Sequence, residues 1–126
     1  MPLVRIDLPN TTAPADRARI VDVVYDALRH VAGAPEDDRF FILTEHGPDT
    51  LVMDRTYLVA RTEQALIIQI TLNAGRSTEV KKALFRAVAD GLHERTGIRT
   101  EDVFINLIEV PKENWSFGGG KAQYAD

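Results

Sequence analysis

The sequence has no cysteine among its 126 residues, and it has no long apolar run. The first absence excludes disulfides, thiolate metal ligands and cysteine nucleophiles, and it is compatible with the reducing cytoplasm where we expect the protein. The second excludes a membrane span, which needs about 20 consecutive apolar residues. The N-terminus also lacks the basic and then apolar pattern of a secretory signal. We therefore expect no membrane partner.

Clustered positive charge is missing as well. The net charge is −4, and the lysines and arginines are dispersed along the chain. Nucleic-acid binding needs a basic stripe that neutralises phosphates, so no nucleic-acid partner is expected. Hydrophobic residues make up 44% and charged residues 27%, which is the mix of one globular domain covering residues 1–126.

The main feature that is present is an internal repeat with a constant offset of 64 residues. The segment 3–8 falls on 67–72, apolar on apolar and polar on polar. Gly33 falls on Gly97, Asp38 on Asp102 and Phe40 on Phe104, with no gap. The first unit covers 2–45, the second 66–110, and a tail covers 111–126.

Each unit reads as strand, helix, strand. Residues 3–8 and 68–72 alternate with period two, and 40–45 and 103–110 close the units. The first helix is expected from near Thr12 with Pro14 in its first turn, and the second from the N-cap Ser77 to Gly97. Their apolar faces are Ile20, Val24, Ala27, Leu28 and Val31, and Val80, Leu84, Ala87, Val88 and Leu92.

This pattern predicts an α/β (α+β) fold in which two tandem β-α-β units form one four-stranded mixed sheet with both helices on one face. The other face is left bare although its strands are fairly apolar, so we expect an oligomer. Residues 46–64 connect the units and are expected to hold a short strand at Leu51–Met53.

Pro2 is the first candidate for chemistry. Removal of Met1 would leave Pro2 as a secondary amine at the start of a strand, and α-amino groups titrate at roughly pH 7.7–8.0. Such an amine serves as general base when neutral and as general acid when protonated. A Met-Pro start is also common without any function, so the residue alone decides nothing.

A resemblance rests on the Met-Pro-Leu start, the repeat, and three motifs, namely residues 34–40 (Ala-Pro-Glu-Asp-Asp-Arg-Phe), Glu45-His46, and residues 113–118 (Glu-Asn-Trp-Ser-Phe-Gly). The chain resembles the tautomerase superfamily with the 4-oxalocrotonate tautomerase-like fold over nearly its whole length. More narrowly, it is similar to the malonate semialdehyde decarboxylase-like group. The resemblance implies a catalytic N-terminal proline, no cofactor, and a homotrimer.

Arg76 lies between a strand end and the N-cap Ser77, where a guanidinium and free helix N–H groups could face one anion. The alternative from sequence is a solvated arginine in a turn. The resemblance implies that Arg76 binds the substrate carboxylate. The related decarboxylases carry two arginines two residues apart here, whereas the stretch Asn73-Ala74-Gly75-Arg76 keeps only the second.

Asp38 stands in the acidic run 36–39, where sequence alone favours a solvated carboxylate or a pair with Arg39. The resemblance instead places Asp38 on the catalytic aspartate that positions or activates water near the proline. Asp37 is the neighbouring alternative. Trp115 and Phe117 read as core anchors or subunit contacts, and the resemblance implies that they form an apolar wall of the substrate pocket.

The histidines predict no metal site. His30 and His93 fall late in helices, where a cation complements the helix dipole. His46 with Glu45, Asp49 and Asp54 matches no known ligand spacing. Gly118–Gly120 is not followed by a helix and is therefore no phosphate loop.

The sequence predicts an enzyme in which Pro2, Arg76 and Asp38 act on a small oxo acid or its enol. Tautomerisation, decarboxylation of a 3-oxo acid such as malonate semialdehyde, and iminium formation at the amine all remain open. The alternative is a binding or assembly module that keeps the fold without the chemistry. The absence of the first of the two arginines is the reason to consider it.

Overall fold

Two β-α-β units follow each other along the chain in the computed structural model, which describes residues 2–125. The expected removal of Met1 concerns a residue outside that range. The first unit consists of β1 (Leu3–Pro9), α1 (Pro14–His30) and β2 (Phe41–His46). The second consists of β3 (Leu66–Asn73), α2 (Thr78–Thr96) and β4 (Val103–Val110), with short 3-10 turns at Thr100–Asp102 and Lys112–Asn114.

The four strands form one mixed sheet in the order β2-β1-β3-β4. β1 is parallel to β2 and β3 is parallel to β4, while the central pair β1 and β3 is antiparallel. Val4 pairs with Phe41 and Leu66 with Val103, so both units use a register of 37 residues. The predicted fold class is confirmed, and the repeat extends to the hydrogen-bond register.

The core lies between one face of the sheet and the two helices. Alternate residues of β1 and β3 are buried there, in keeping with the period-two pattern. The helix residues packed against them are Ile20, Val23, Val24, Ala27, Leu28, Leu84, Val88 and Leu92. The predicted apolar faces are therefore correct except at two positions, since they omitted Val23 and included Val80, which lies in the first turn of α2 outside the core cluster. The Val23 side chain packs against Gly91, where an added Cβ would lie 2.7 Å from Val23 Cγ1.

The helix ends follow local chemistry. Ser77 Oγ accepts a hydrogen bond from the N–H of Val80 at 3.2 Å, and Gly97 ends α2 with a left-handed φ of 75°. The first helix begins at Pro14, two residues after the predicted start. The reason is that the Thr12 hydroxyl donates to the Pro9 carbonyl at 2.8 Å and holds a turn after β1.

The predicted strand at Leu51–Met53 was wrong, because the connector forms turns there. Asp54 Oδ1 accepts hydrogen bonds from the N–H groups of Thr56 and Tyr57, each at 2.8 Å. Arg61 Nη1 donates to the carbonyls of Asp54 and Tyr57 at 3.1 and 2.8 Å. These bonds hold the turn that follows residues 51–53.

The second face of the sheet carries half-exposed apolar side chains at Ile42, Phe104 and Ile108. The connector continues this surface, since the Arg61 guanidinium lies 5.9 Å from the centre of the Phe104 ring. Val52 and Leu58 project from the connector and are 82% and 83% exposed. No helix within residues 2–125 is both long and apolar enough to cross a membrane.

Candidate active site

The strand directions bring four chain segments to one edge of the sheet. β1 begins where the antiparallel β3 ends, and β4 ends beside β3 with Asn73 paired to Val110. β2 begins at the same edge, since it is parallel to β1. Pro2, directly before β1, therefore lies next to the segment that follows β4.

A cavity of about 450 Å³ opens at this edge. Its lining consists of Pro2, Leu3, Phe40 and residues 114–117. Pro2 itself is buried. Phe40 and Phe117 are 47% and 36% exposed and stand at the mouth. The structure thus brings together three of the predicted site residues, Pro2, Trp115 and Phe117.

The aromatic wall of this cavity is held by the C-terminal tail. The Trp115 and Phe117 rings stack with centroids 5.6 Å apart, and Tyr124 meets Phe117 edge-on at 5.0 Å. Gln123 fixes the turn between them, since Oε1 accepts from the Phe117 N–H at 3.0 Å and Nε2 donates to the Gly118 carbonyl at 2.9 Å. Sequence reasoning missed Gln123 and Tyr124, for which the glycine-rich run 118–120 was the available signal.

Arg76 is partly buried and bonded to two backbone carbonyls. Nε donates to the Ala32 carbonyl at 2.9 Å, and Nη1 donates to the Asn73 carbonyl at 3.0 Å. A guanidinium has five N–H donors, so three remain for other acceptors. Arg76 does not line the cavity itself. Asn73 links Arg76 to the cavity, because Asn73 Oδ1 also accepts from the indole N–H of Trp115, a lining residue, at 2.7 Å.

The carboxylate of Glu109 shapes the field near this arginine. Lys81 Nζ donates to Glu109 Oε1 at 2.7 Å. This bond, together with the charges of Lys81 and Arg76, lowers the pKa of Glu109. Glu109 is therefore an anion that is paired with Lys81 and also lies within the field of Arg76.

Asp38 is 4% exposed, so the expectation of a solvated carboxylate was wrong. The expected pair with Arg39 was also wrong, because Arg39 Nη2 bonds Asp22 Oδ1 at 2.6 Å and its guanidinium lies over the Tyr25 ring at 4.4 Å. Burial raises the pKa of Asp38, against the lowering effect of the positive chain terminus. A buried carboxyl group with a raised pKa is typical of a functional group.

Asp37, the alternative to Asp38, is exposed. Its backbone has a left-handed φ of 68°, and its N–H donates to the Tyr25 hydroxyl at 3.2 Å. Asp37 thus shapes the loop, and the neighbouring Asp38 side chain is turned inward.

Asp102, the repeat equivalent of Asp38, is 1% exposed. Asp102 Oδ1 accepts from the Thr62 N–H at 2.7 Å, and Oδ2 accepts from the Thr62 hydroxyl at 2.6 Å. Asp38 and Asp102 are the buried acids of residues 2–125. In the second unit, Thr62 of the connector that leads into β3 supplies both hydrogen bonds to Asp102. In the first unit, the residue that leads into the corresponding strand, β1, is Pro2.

The histidines are engaged in local contacts. His46 Nε2 lies 2.6 Å from Asp7 Oδ1 and its Nδ1 lies 3.1 Å from the Thr50 hydroxyl, while His93 Nδ1 lies 3.1 Å from the Ile98 carbonyl. Within the part of the chain that the structure describes, no group of three or more His, Asp or Glu side chains is arranged to hold a metal ion.

Known proteins match this chain over nearly its full length. Two family models, both described as tautomerase enzyme, match residues 38–118 and 2–61. Probable tautomerase YusQ of Bacillus subtilis (strain 168) is 36% identical over 124 residues, which are 98% of each chain. The chain belongs to the tautomerase superfamily, and its relatives make it an enzyme of that superfamily.

Two solved structures define the narrower group. The FG41 malonate semialdehyde decarboxylase inhibited by 3-bromopropiolate superimposes with a TM-score of 0.91 at 39% identity, over 98% of this chain and 94% of that one. A second malonate semialdehyde decarboxylase, described with decarboxylase and hydratase activities, gives a TM-score of 0.89 at 27% identity over 98% and 95%. The protein therefore falls in the malonate semialdehyde decarboxylase-like group of its superfamily.

Proposed function

We propose that the protein uses the amine of Pro2 as general acid or base on a small oxo acid or its enol. The observation that carries this proposal is the position of Pro2, buried at the start of β1 in a cavity walled by Trp115 and Phe117. Once Met1 is removed, Pro2 Nα is a secondary amine in surroundings of low polarity, where the transfer of one proton strongly changes the electrostatics.

Arg76 holds the substrate carboxylate in this mechanism. Its bonds to the Ala32 and Asn73 carbonyls fix the guanidinium plane, so the remaining N–H donors are preorganised for a carboxylate. The aromatic wall excludes water from the reacting carbon, which strengthens this ionic contact.

Pro2 then moves a proton between carbon and oxygen. In tautomerisation the neutral amine takes the enol proton and the ammonium returns a proton to carbon. In decarboxylation of a 3-oxo acid the protonated amine polarises the carbonyl as carbon dioxide leaves. The decarboxylase-like relatives favour a 3-oxo acid such as malonate semialdehyde. Because Arg76 is the one arginine between β3 and α2, where those relatives carry two, an assay with each substrate is needed to distinguish tautomerisation from decarboxylation.

Asp38 sets the protonation state at the amine or positions a water. Burial makes the ionised carboxylate unfavourable unless a positive charge compensates it, and a protonated amine at Pro2 is such a charge. Asp38 and Pro2 are therefore expected to titrate as a coupled pair, in which each charge stabilises the other.

A paired ultraviolet assay tests this function. Ketonisation of phenylenolpyruvate is followed for the wild type, for Pro2→Ala, and for Pro48→Ala as an exposed proline control in the connector. We expect activity in the wild type and the control and a loss of at least 100-fold in Pro2→Ala, the lower range of general acid–base contributions of roughly 10²–10⁴. Full activity in Pro2→Ala would refute the mechanism, and malonate semialdehyde is the second substrate.

Assembly with further copies of the chain is part of the proposal. Apolar side chains are exposed on the second sheet face and at the projecting Val52, Tyr57 and Leu58, and exposed apolar patches mark interaction surfaces. The family resemblance gives three subunits. Sedimentation velocity should show a trimer for the wild type and smaller species for Leu58→Asp, and a monomeric wild type would contradict the assembly.

The second candidate function is a binding module that keeps the fold. The single arginine at the end of β3 is the observation that favours it. Intact mass discriminates the two functions, because a retained Met1 would leave Pro2 without a free amine.

A further inference from the structure

Asn73 joins two parts of the candidate site that are otherwise separate. Its side-chain Oδ1 accepts from the Trp115 indole N–H at 2.7 Å, and its backbone carbonyl accepts from Arg76 Nη1 at 3.0 Å. One residue thus contacts both the aromatic wall and the cation.

The backbone of Asn73 is also held by the sheet. It is the last residue of β3, paired with Val110 of β4, and the N–H of the next residue, Ala74, donates to the Val110 carbonyl at 3.0 Å. Trp115 follows β4 through a 3-10 turn and has no strand partner of its own. The indole therefore takes its position from Asn73 and from stacking on Phe117.

The internal repeat provides a comparison within the same chain. At the offset of 64 residues, Asn73, Arg76 and Trp115 correspond to Pro9, Thr12 and Leu51. A proline, a threonine and a leucine cannot form this set of contacts, because leucine has no donor and proline has no side-chain acceptor. The arrangement therefore exists at the sheet edge that holds Pro2 and not at the opposite edge, where β1 ends at Pro9, which ties it to the site rather than to the fold.

We propose that Asn73 is a positioning residue that fixes the distance between the Trp115 wall and the Arg76 cation. This inference rests on the proposed function. The hydrogen bond between Asn73 Oδ1 and the Trp115 indole is called the tether below. The tether holds the indole at the cavity, and the bond of the Asn73 carbonyl to Arg76 keeps the carboxylate-binding cation at a constant offset from Pro2.

The test uses Trp115 as a reporter, because it is the sole tryptophan of the chain. Asn73→Ala removes Oδ1 and keeps the backbone carbonyl that Arg76 needs. Asn73→Asp keeps an acceptor of the same shape. Asn10→Ala, an exposed asparagine beyond β1 at the opposite sheet edge, is the matched control.

We expect Asn73→Ala to shift the Trp115 emission to the red, to increase its quenching by acrylamide, and to lower kcat/KM about three- to tenfold, the value of one hydrogen bond. The Asp variant should restore the emission, and the control should match the wild type. Unchanged quenching in Asn73→Ala would overturn the tether. Altered quenching with unchanged kcat/KM would overturn its role in the reaction.

Trp115→Phe covers the case in which Asn73→Ala folds poorly, because it removes the same hydrogen bond from the side of the donor. It should lower kcat/KM by about the same three- to tenfold, and an unchanged kcat/KM would contradict the role of the bond in the reaction. A double-mutant cycle then tests whether the two residues act through one bond. Trp115→Phe keeps the aromatic wall and removes the donor. In that background Asn73→Ala should have no further effect on kcat/KM, whereas additive losses would contradict the proposal. Fluorescence tests the tether even in an inactive protein, so failure of the proposed function and failure of the tether are distinguishable.

Discussion

The two buried aspartates should respond in opposite ways to substitution. Asp102 accepts two hydrogen bonds from Thr62, at 2.7 and 2.6 Å, and is 1% exposed. A hydrogen bond to a charged group contributes roughly 1.5–3 kcal/mol. Asp102→Ala removes two such bonds and leaves two donors of Thr62 unpaired, so we expect the free energy of unfolding to fall by about 3 kcal/mol even at the lower figure.

Asp38 occupies the equivalent position but has a raised pKa, which means that its ionised form is not favoured by burial. Asp38→Asn should therefore leave the free energy of unfolding within about 1 kcal/mol of the wild type, the ordinary size of a mutational effect. Its ketonisation rate should fall instead. The two variants therefore distinguish a structural role of Asp102 from a functional role of Asp38 at equivalent positions of the repeat.

Urea denaturation at one fixed protein concentration measures both variants. With an m-value of about 1–3 kcal/mol/M, a loss of 3 kcal/mol lowers the midpoint by roughly 1–3 M. Asp102→Ala should retain the turnover of its folded fraction. The reasoning would be refuted by an unchanged midpoint in Asp102→Ala, or by a stability loss in Asp38→Asn as large as that of Asp102→Ala.

Three further outcomes follow from the same contacts. Between the ordinary pKa near 3.8 and its raised value, folded Asp38 binds its proton more tightly than unfolded Asp38, so the contribution of Asp38 to stability should fall as the pH rises through this window. Urea midpoints at several pH values should show the stability of the wild type falling relative to that of Asp38→Asn, and a constant difference between the two would contradict the raised pKa. Gly91→Ala places a Cβ 2.7 Å from Val23 Cγ1, and this overpacking should lower the free energy of unfolding by about 1–3 kcal/mol. The double variant with Val23→Ala should recover stability, and an unchanged stability in Gly91→Ala would contradict the prediction. Arg76→Lys loses the planar fork and should raise KM about tenfold or more, the value of one charge-assisted hydrogen bond, with kcat changed less; an unchanged KM would remove the carboxylate-binding role.

The sheet could be predicted from the sequence because the repeat constrains it. A constant offset of 64 residues and period-two alternation fixed which residues face the helices, and the shared register of 37 residues agrees with this. The helix ends at Ser77 and Gly97 followed from local capping chemistry. The absence of a strand at Leu51–Met53 could not be judged from its apolar residues, because three apolar residues predict a strand only where the sheet offers them a partner, and the sheet of β2-β1-β3-β4 does not include them.

The contacts within the site could not be predicted, since they depend on the meeting of distant segments. Asp38 reads as a surface residue in an acidic run, and only the loop that turns it inward shows its burial. The Trp115–Asn73 bond joins residues 42 positions apart, and the Asp102–Thr62 bond joins residues 40 apart. No spacing rule connects such pairs, so the sequence named Trp115 and Arg76 without the residue that links them.

Intact-mass spectrometry after incubation with 3-bromopropiolate, which inhibits the related FG41 enzyme, tests the central claim most directly. We expect a chain without Met1 and a single adduct that maps to Pro2. The adduct should be absent in Pro2→Ala and in wild-type protein that is protected by a bound oxo acid. A chain that retains Met1, or an adduct at another residue with Pro2 unmodified, would contradict the claim.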